Sequence, residues 1–112
     1  MNSLEEIIPQ IPVDRLDVII QANSYVIIDV RDSESIKTQG PIPGAIHMPF
    51  LEIEKRLAEI PIDNRQPLVV YCGHGPRAYW ARRSLYKQGL DRVVLLEGHY
   101  RKWTMAGLPV AR

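Results

Sequence analysis

The sequence predicts an α/β fold built on a parallel sheet that is buried on both faces. Three apolar runs, residues 25–30, 68–71 and 92–96, are rich in β-branched side chains and lack the polar alternation of a sheet with one wet face. Stretches with the apolar spacing of helices lie between and around them. Strands alternating with helices imply parallel pairing through right-handed crossovers.

Taken in order, residues 1–12 form an N-terminal segment and residues 13–112 a single domain. The segment holds a short strand at 8–11, an edge strand because Pro9 and Pro12 have no place in a sheet centre. A helix at 13–22 places Val13, Leu16, Ile19 and Ile20 on one side, with Asp14 in its first turn. After the strand at 25–30, the turn Gly40-Pro41-Ile42-Pro43-Gly44 leads into a short strand at 45–48. Leu51, Ile53, Leu57 and Ile60 predict a helix over 51–60. The strand at 68–71 is followed by a helix at 77–88 that presents Ala78, Ala81 and Leu85 on one face and stops at Gly89. The strand at 92–96 and a helix at 100–106, ended by Gly107 and Pro109, complete the chain. The late aromatic residues Tyr79, Trp80, Tyr86, Tyr100 and Trp103 read as packing residues.

A chain of 112 residues is large enough to bury one core without staples. Residues 1–71 carry 6 Lys/Arg against 11 Asp/Glu, whereas residues 72–112 carry 8 against 2. The asymmetry reads either as two differently charged solvated faces or as a positive field that the second half presents to a small anion. Scattered basic residues and a net charge of +1 argue against nucleic-acid binding. No apolar run approaches membrane-spanning length and the acidic start does not resemble a secretory signal, so a cytoplasmic location with no membrane partner is expected.

Cys72 is the only cysteine. Disulfide formation within the chain, dithiol redox chemistry and a cysteine-based zinc site are thereby excluded. His47 and His99 are too isolated to suggest a metal centre, and neither metal nor organic cofactor is expected.

A strand-end cysteine taken alone reads equally well as a small buried apolar side chain. The sequence Gly73-His74-Gly75-Pro76-Arg77 that follows favours a nucleophile. The reactive form of a cysteine is its thiolate, which needs local positive potential. Gly73 and Gly75 let successive amides turn toward one centre and let an anion approach the main chain. Pro76 fixes the entry to the helix, whose first turn adds the positive end of its dipole. Arg77 can grip an oxyanion through a planar pair of donors and His74 can donate to a substrate or shuttle a proton, although each also reads as a solvated residue of the helix or loop. Cys72 is the candidate catalytic residue, and Gly73, His74, Gly75, Pro76 and Arg77 are the candidate substrate-binding residues. Asp29 and Arg31, at the end of another strand, read either as a turn with an ion pair or as residues that support the site, and the supporting role is preferred.

Four motifs lie in register along the chain. They are Ile28-Asp29-Val30-Arg31, Gly40-Pro41-Ile42-Pro43-Gly44-Ala45-Ile46-His47-Met48-Pro49, Val70-Tyr71-Cys72-Gly73-His74-Gly75-Pro76-Arg77, and Leu96-Glu97-Gly98-His99 with Trp103-Thr104-Met105-Ala106-Gly107-Leu108-Pro109-Val110. Together they resemble the single-domain rhodanese family. The resemblance implies a five-stranded parallel sheet flanked by helices on both faces. It also implies a sulfurtransferase of the thiosulfate type, in which Cys72 takes sulfane sulfur from thiosulfate or a persulfide donor and passes it to cyanide, a thiol or a partner protein.

The chain departs from the family pattern at four places. Gly73 stands where active members often have Arg, Ala78 where Ser is common, Pro41 where His is usual, and His99 where a second Gly often follows Gly98. Two other functions fit parts of the pattern. A carrier or docking module serving a partner protein fits the missing cation at Gly73. A cysteine phosphatase or arsenate reductase resembles Cys-x5-Arg, one residue longer than the spacing from Cys72 to Arg77.

Overall fold

Alternate residues of the central strands feed two different cores, which is why the runs read as continuously apolar. The computed structural model describes residues 9–22, 25–61 and 67–111. Its strands are β1 (Gln10–Ile11), β2 (Val26–Asp29), β3 (Ile46–His47), β4 (Leu68–Tyr71) and β5 (Val93–Leu96), ordered β1-β5-β4-β2-β3 with every pair parallel. The helices are α1 (Val13–Ala22), α2 (Ser33–Gln39), α3 (Pro76–Lys87) and α4 (His99–Met105).

On one face of the sheet, Ala78, Ala81 and Leu85 of α3 pack with Ile28, Val70, Val93 and Leu95. On the other, Leu16 of α1 and Tyr100 and Trp103 of α4 pack with Ile27, Val69, Tyr71 and Leu96. Small residues on α3 let its backbone lie close to the strands. Trp103, fully buried, donates its indole N–H to the Pro109 carbonyl at 2.8 Å and so holds the C-terminal tail against α4.

The edge strand narrows to Gln10–Ile11, and Ile8 lies outside the described residues. Two elements differ from expectation. Residues 51–60 do not form one helix; they form two short 3-10 turns, Phe50–Glu52 and Leu57–Glu59. Only Ile53 and Ile60 are buried there, while Leu51 is 80 % exposed, so no continuous apolar stripe holds a helix in place. A 3-10 turn also climbs about 2.0 Å per residue against about 1.5 Å for an α-helix, which helps the chain span the sheet toward β4.

Helix α2 has no buried residue and therefore no periodicity to read. Its start is set locally by Asp32, whose carboxylate accepts the Ser35 amide at 2.8 Å. Among the aromatic residues, Tyr100 and Trp103 are core, but Trp80 and Tyr86 are more than half exposed on α3. Among the described residues, no helix is long and apolar enough to cross a membrane.

Candidate active site

β4 is the central strand, and Cys72 is the residue that follows it. The site thus lies beyond the carboxyl end of a parallel sheet, where the outgoing chain must leave the plane and opens a crevice. The Cys72 sulfur is almost fully enclosed and accepts the Gly75 amide at 3.0 Å. Gly75 takes φ 143°, a backbone angle open to glycine and strained for other residues. It is the cap of α3, with Pro76 in the first turn where a missing N–H costs nothing.

The rest of the loop is held by its carbonyls. The Tyr100 amide donates to the Cys72 carbonyl at 3.0 Å, and the Arg101 amide donates to the Gly73 carbonyl at 3.1 Å. The Cys72 amide itself donates to Nδ1 of His99 at 3.3 Å. The amides of Gly73, His74, Arg77 and Ala78 have no acceptor among the described residues. Carbonyls tied to one side and amides left unspent make a cradle for negative charge.

A depression of about 840 Å³ opens at Cys72. Its walls are Gly73, His74, Pro76 and Arg77 from the loop and α3, Ser35 and Gln39 from α2, and Tyr100, Arg101, Thr104 and Leu108 from α4 and the tail. The volume falls in the range of about 300–1,000 Å³ that suits a small organic molecule as well as an inorganic anion. Arg77 reaches Asp32 at only 3.5 Å, and both side chains are about half exposed, so the guanidinium is loosely held. Arg101 has no carboxylate partner among the described residues.

Asp29 and Arg31 are brought together at this site, Arg31 lining the depression itself. Both are buried, and the guanidinium bonds the carboxylate through Nε at 3.1 Å and Nη2 at 2.8 Å. Arg31 also donates to Gln39 Oε1 and to the Gly40 carbonyl, each at 2.9 Å, which ties the end of β2 to the end of α2. The Tyr71 hydroxyl donates to Asp29 at 2.6 Å and accepts the Ile42 amide at 2.9 Å. Burial and then the Asp29 charge push the Tyr71 phenol far up, so it stays protonated and keeps this donor role. For Arg31 burial opposes the charge, but the bonds to Asp29 outweigh it and hold the group above its ordinary range. With its donors spent inward, this pair braces the loops around the cavity.

His47 is accounted for by the main chain: its Nε2 donates to the Arg31 carbonyl at 2.8 Å. The described residues contain no cluster of His, Cys, Asp and Glu that could hold a metal ion. Two residues at the site were not singled out from the sequence as site residues, His99 and Arg101. Their signal was weak because the relation is tertiary, although the departure from Gly at position 99 was visible.

Comparison with known proteins agrees with this geometry. The family model for the rhodanese-like domain matches residues 12–106. A protein of Allochromatium vinosum named sulfurtransferase is 39 % identical over 85 residues, covering 76 % of this chain and 77 % of that protein. A Shewanella oneidensis protein named thiosulfate sulfurtransferase GlpE is 33 % identical over 91 residues, covering 81 % and 87 %. The crystal structure of a rhodanese-related protein from Thermoplasma volcanium superposes with a TM-score of 0.78 at 27 % identity, over 92 % of this chain and 97 % of that one. With the family model matched over residues 12–106 and a relative 39 % identical over 77 % of its own length, the chain belongs to the family of rhodanese-like domains.

Proposed function

We propose that this domain is a sulfurtransferase that accepts sulfane sulfur from thiosulfate or a persulfide on Cys72 and passes it to a thiophilic acceptor. The observation that carries this reading is the Gly75 amide 3.0 Å from the Cys72 sulfur, in a loop whose Gly73 and His74 amides have no acceptor among the described residues. Such donors stabilise negative charge on a thiolate and equally on the terminal sulfur of a persulfide.

With thiosulfate, the Cys72 thiolate attacks the outer, sulfane sulfur. The sulfur–sulfur bond of the donor breaks and sulfite leaves with the electron pair. A Cys72 persulfide anion remains. Cyanide or a thiolate then attacks the terminal sulfur, and the Cys72 thiolate departs as the leaving group. A covalent intermediate of this kind requires ping-pong kinetics. Arg77 and Arg101 stand at the mouth of the cavity, where they favour entry of an anionic donor. The four residues between Cys72 and Arg77 enclose a tighter circle than a Cys-x5-Arg loop, which favours sulfur over a tetrahedral phosphate.

Mass spectrometry of the intact protein after incubation with thiosulfate tests the proposal. One added sulfur atom on Cys72 is expected, discharged by cyanide with release of thiocyanate. Absence of the adduct with both thiosulfate and a small-molecule persulfide overturns it.

A further inference from the structure

Three consecutive residues at the start of α4 hold three polar groups of the Cys72 loop. His99 accepts the Cys72 amide through Nδ1, the Tyr100 amide takes the Cys72 carbonyl, and the Arg101 amide takes the Gly73 carbonyl. Two of these contacts are made by main chain and can be made by any residue. The His99 contact needs its side chain.

His99 is also the only non-glycine residue at positive φ among the described residues, at 56°. That region is natural to glycine and uncommon for residues with a side chain, histidine and asparagine being among the least disfavoured. Its ring is buried. A Cβ placed on Gly75 would stand 3.7 Å from Nε2, so the ring lies against the residue whose amide bonds the sulfur. One imidazole therefore bonds the residue that carries the sulfur and lies beside the residue that solvates it.

We propose that His99 is a positioning residue for the Cys72 loop, its neutral imidazole fixing the Cys72 amide outside the cradle so that the Gly75 amide meets the sulfur. This rests on the sulfur-transfer reading above for its function, but not for its geometry. Nδ1 accepts a hydrogen bond only when unprotonated, so the ring proton is on Nε2. Burial and the neighbouring His74 both disfavour a charged ring. Cys72 and His74 face the ring from the loop, and Glu97, Arg101 and Lys102 flank it in sequence, Lys102 standing 3.6 Å from Glu97.

The test is the alkylation rate of Cys72 by iodoacetamide at neutral pH, which uses no sulfur donor and separates this inference from the activity. His99→Gly relaxes the backbone but removes the acceptor, and should slow alkylation roughly 5- to 10-fold, the factor corresponding to one hydrogen bond. His99→Asn tolerates the left-handed angle and restores an oxygen acceptor, so it should recover most of the rate. A His99→Gly protein that reacts at the native rate, or an Asn variant no faster than the Gly variant, overturns the proposal. Should both variants fail to fold, nitrogen NMR of the native imidazole decides. A proton on Nε2 with Nδ1 bare supports the assignment, and a proton on Nδ1 refutes it.

Discussion

The guanidinium of Arg31 lies 3.7 Å from the centroid of the Tyr100 ring, and the Tyr100 hydroxyl donates to the Gln39 carbonyl at 2.9 Å. The end of β2, the end of α2 and the start of α4 thus meet at one aromatic ring beside the cavity. Because the Tyr100 amide also holds the Cys72 carbonyl, the Asp29–Arg31 pair is linked to the sulfur loop through a single residue. Tyr100→Phe keeps the ring and loses one hydrogen bond, for about 1 kcal/mol of stability. Tyr100→Leu loses the cation contact as well, worth up to about 2 kcal/mol when desolvated. Urea unfolding of the two variants should rank them in that order.

Tyr71→Phe removes a hydroxyl that serves two buried groups at once, Asp29 and the Ile42 amide. The expected loss is roughly 2–4 kcal/mol, larger than for an ordinary hydrogen bond because both a charged acceptor and a backbone donor are left short. Denaturant midpoints measure it.

Arg31→Ala leaves the Asp29 carboxylate buried without its cation, and should destabilise the domain by about 3–5 kcal/mol. Replacing both residues by apolar ones of similar volume should cost less than the single change. A double-mutant cycle by thermal or urea unfolding reads the coupling.

The two loop glycines should answer differently. A Cβ on Gly73 meets nothing within 4 Å, and its φ is not in the left-handed region, so Gly73→Ala should keep near-native persulfide formation. Gly75→Ala forces a side chain onto φ 143° and should lower the sulfur-transfer rate by at least tenfold while the fold survives, since strain of about 1–3 kcal/mol falls on the loop. Single-turnover persulfide formation separates the two.

For donor binding, Arg77→Lys keeps charge and loses the planar fork, so it should raise KM for thiosulfate, with Arg77→Ala and Arg101→Ala raising it further. Asp32→Asn releases Arg77 from its 3.5 Å partner and should lower KM. Steady-state kinetics at low and moderate salt will show these effects weakening as the arginines are screened.

His99 also sets a pH dependence of stability. Its folded pKa lies below the ordinary histidine value because burial and His74 disfavour the cation. In the window between the folded value and the unfolded value near 6.5, the unfolded chain binds more protons. Stability from this group is therefore complete above about pH 6.5 and declines as pH falls through that window. His99→Asn should flatten this acid-side decline in denaturant midpoints.

The sheet was legible because buried parallel strands must be apolar on both faces, and residues 26–29, 68–71 and 93–96 satisfy that without exception apart from Asp29. The Cys72 loop was legible because glycines, a proline and an arginine in that order restrict the backbone strongly. Helix α2 was not, since nothing in it is buried and its one sequence cue is Asp32 capping Ser35. The segment 51–60 was misread because Leu51 supplied apparent periodicity while facing solvent. His99 and Arg101 could not be assigned from 27 residues away in sequence without the fold that sets α4 against the loop.

Strand β4 has neighbours on both sides, and its four residues are all buried. Amide exchange from Val69 to Tyr71 should require global unfolding, whereas the unpartnered Gly73 and His74 amides should exchange orders of magnitude faster. The ladder of amide bonds thus ends within two residues of the sulfur. Substitutions at positions 73 and 74 should therefore leave the stability of the sheet untouched, and if Cys72 carries sulfur as proposed, they are where donor preference can drift while the scaffold stays fixed.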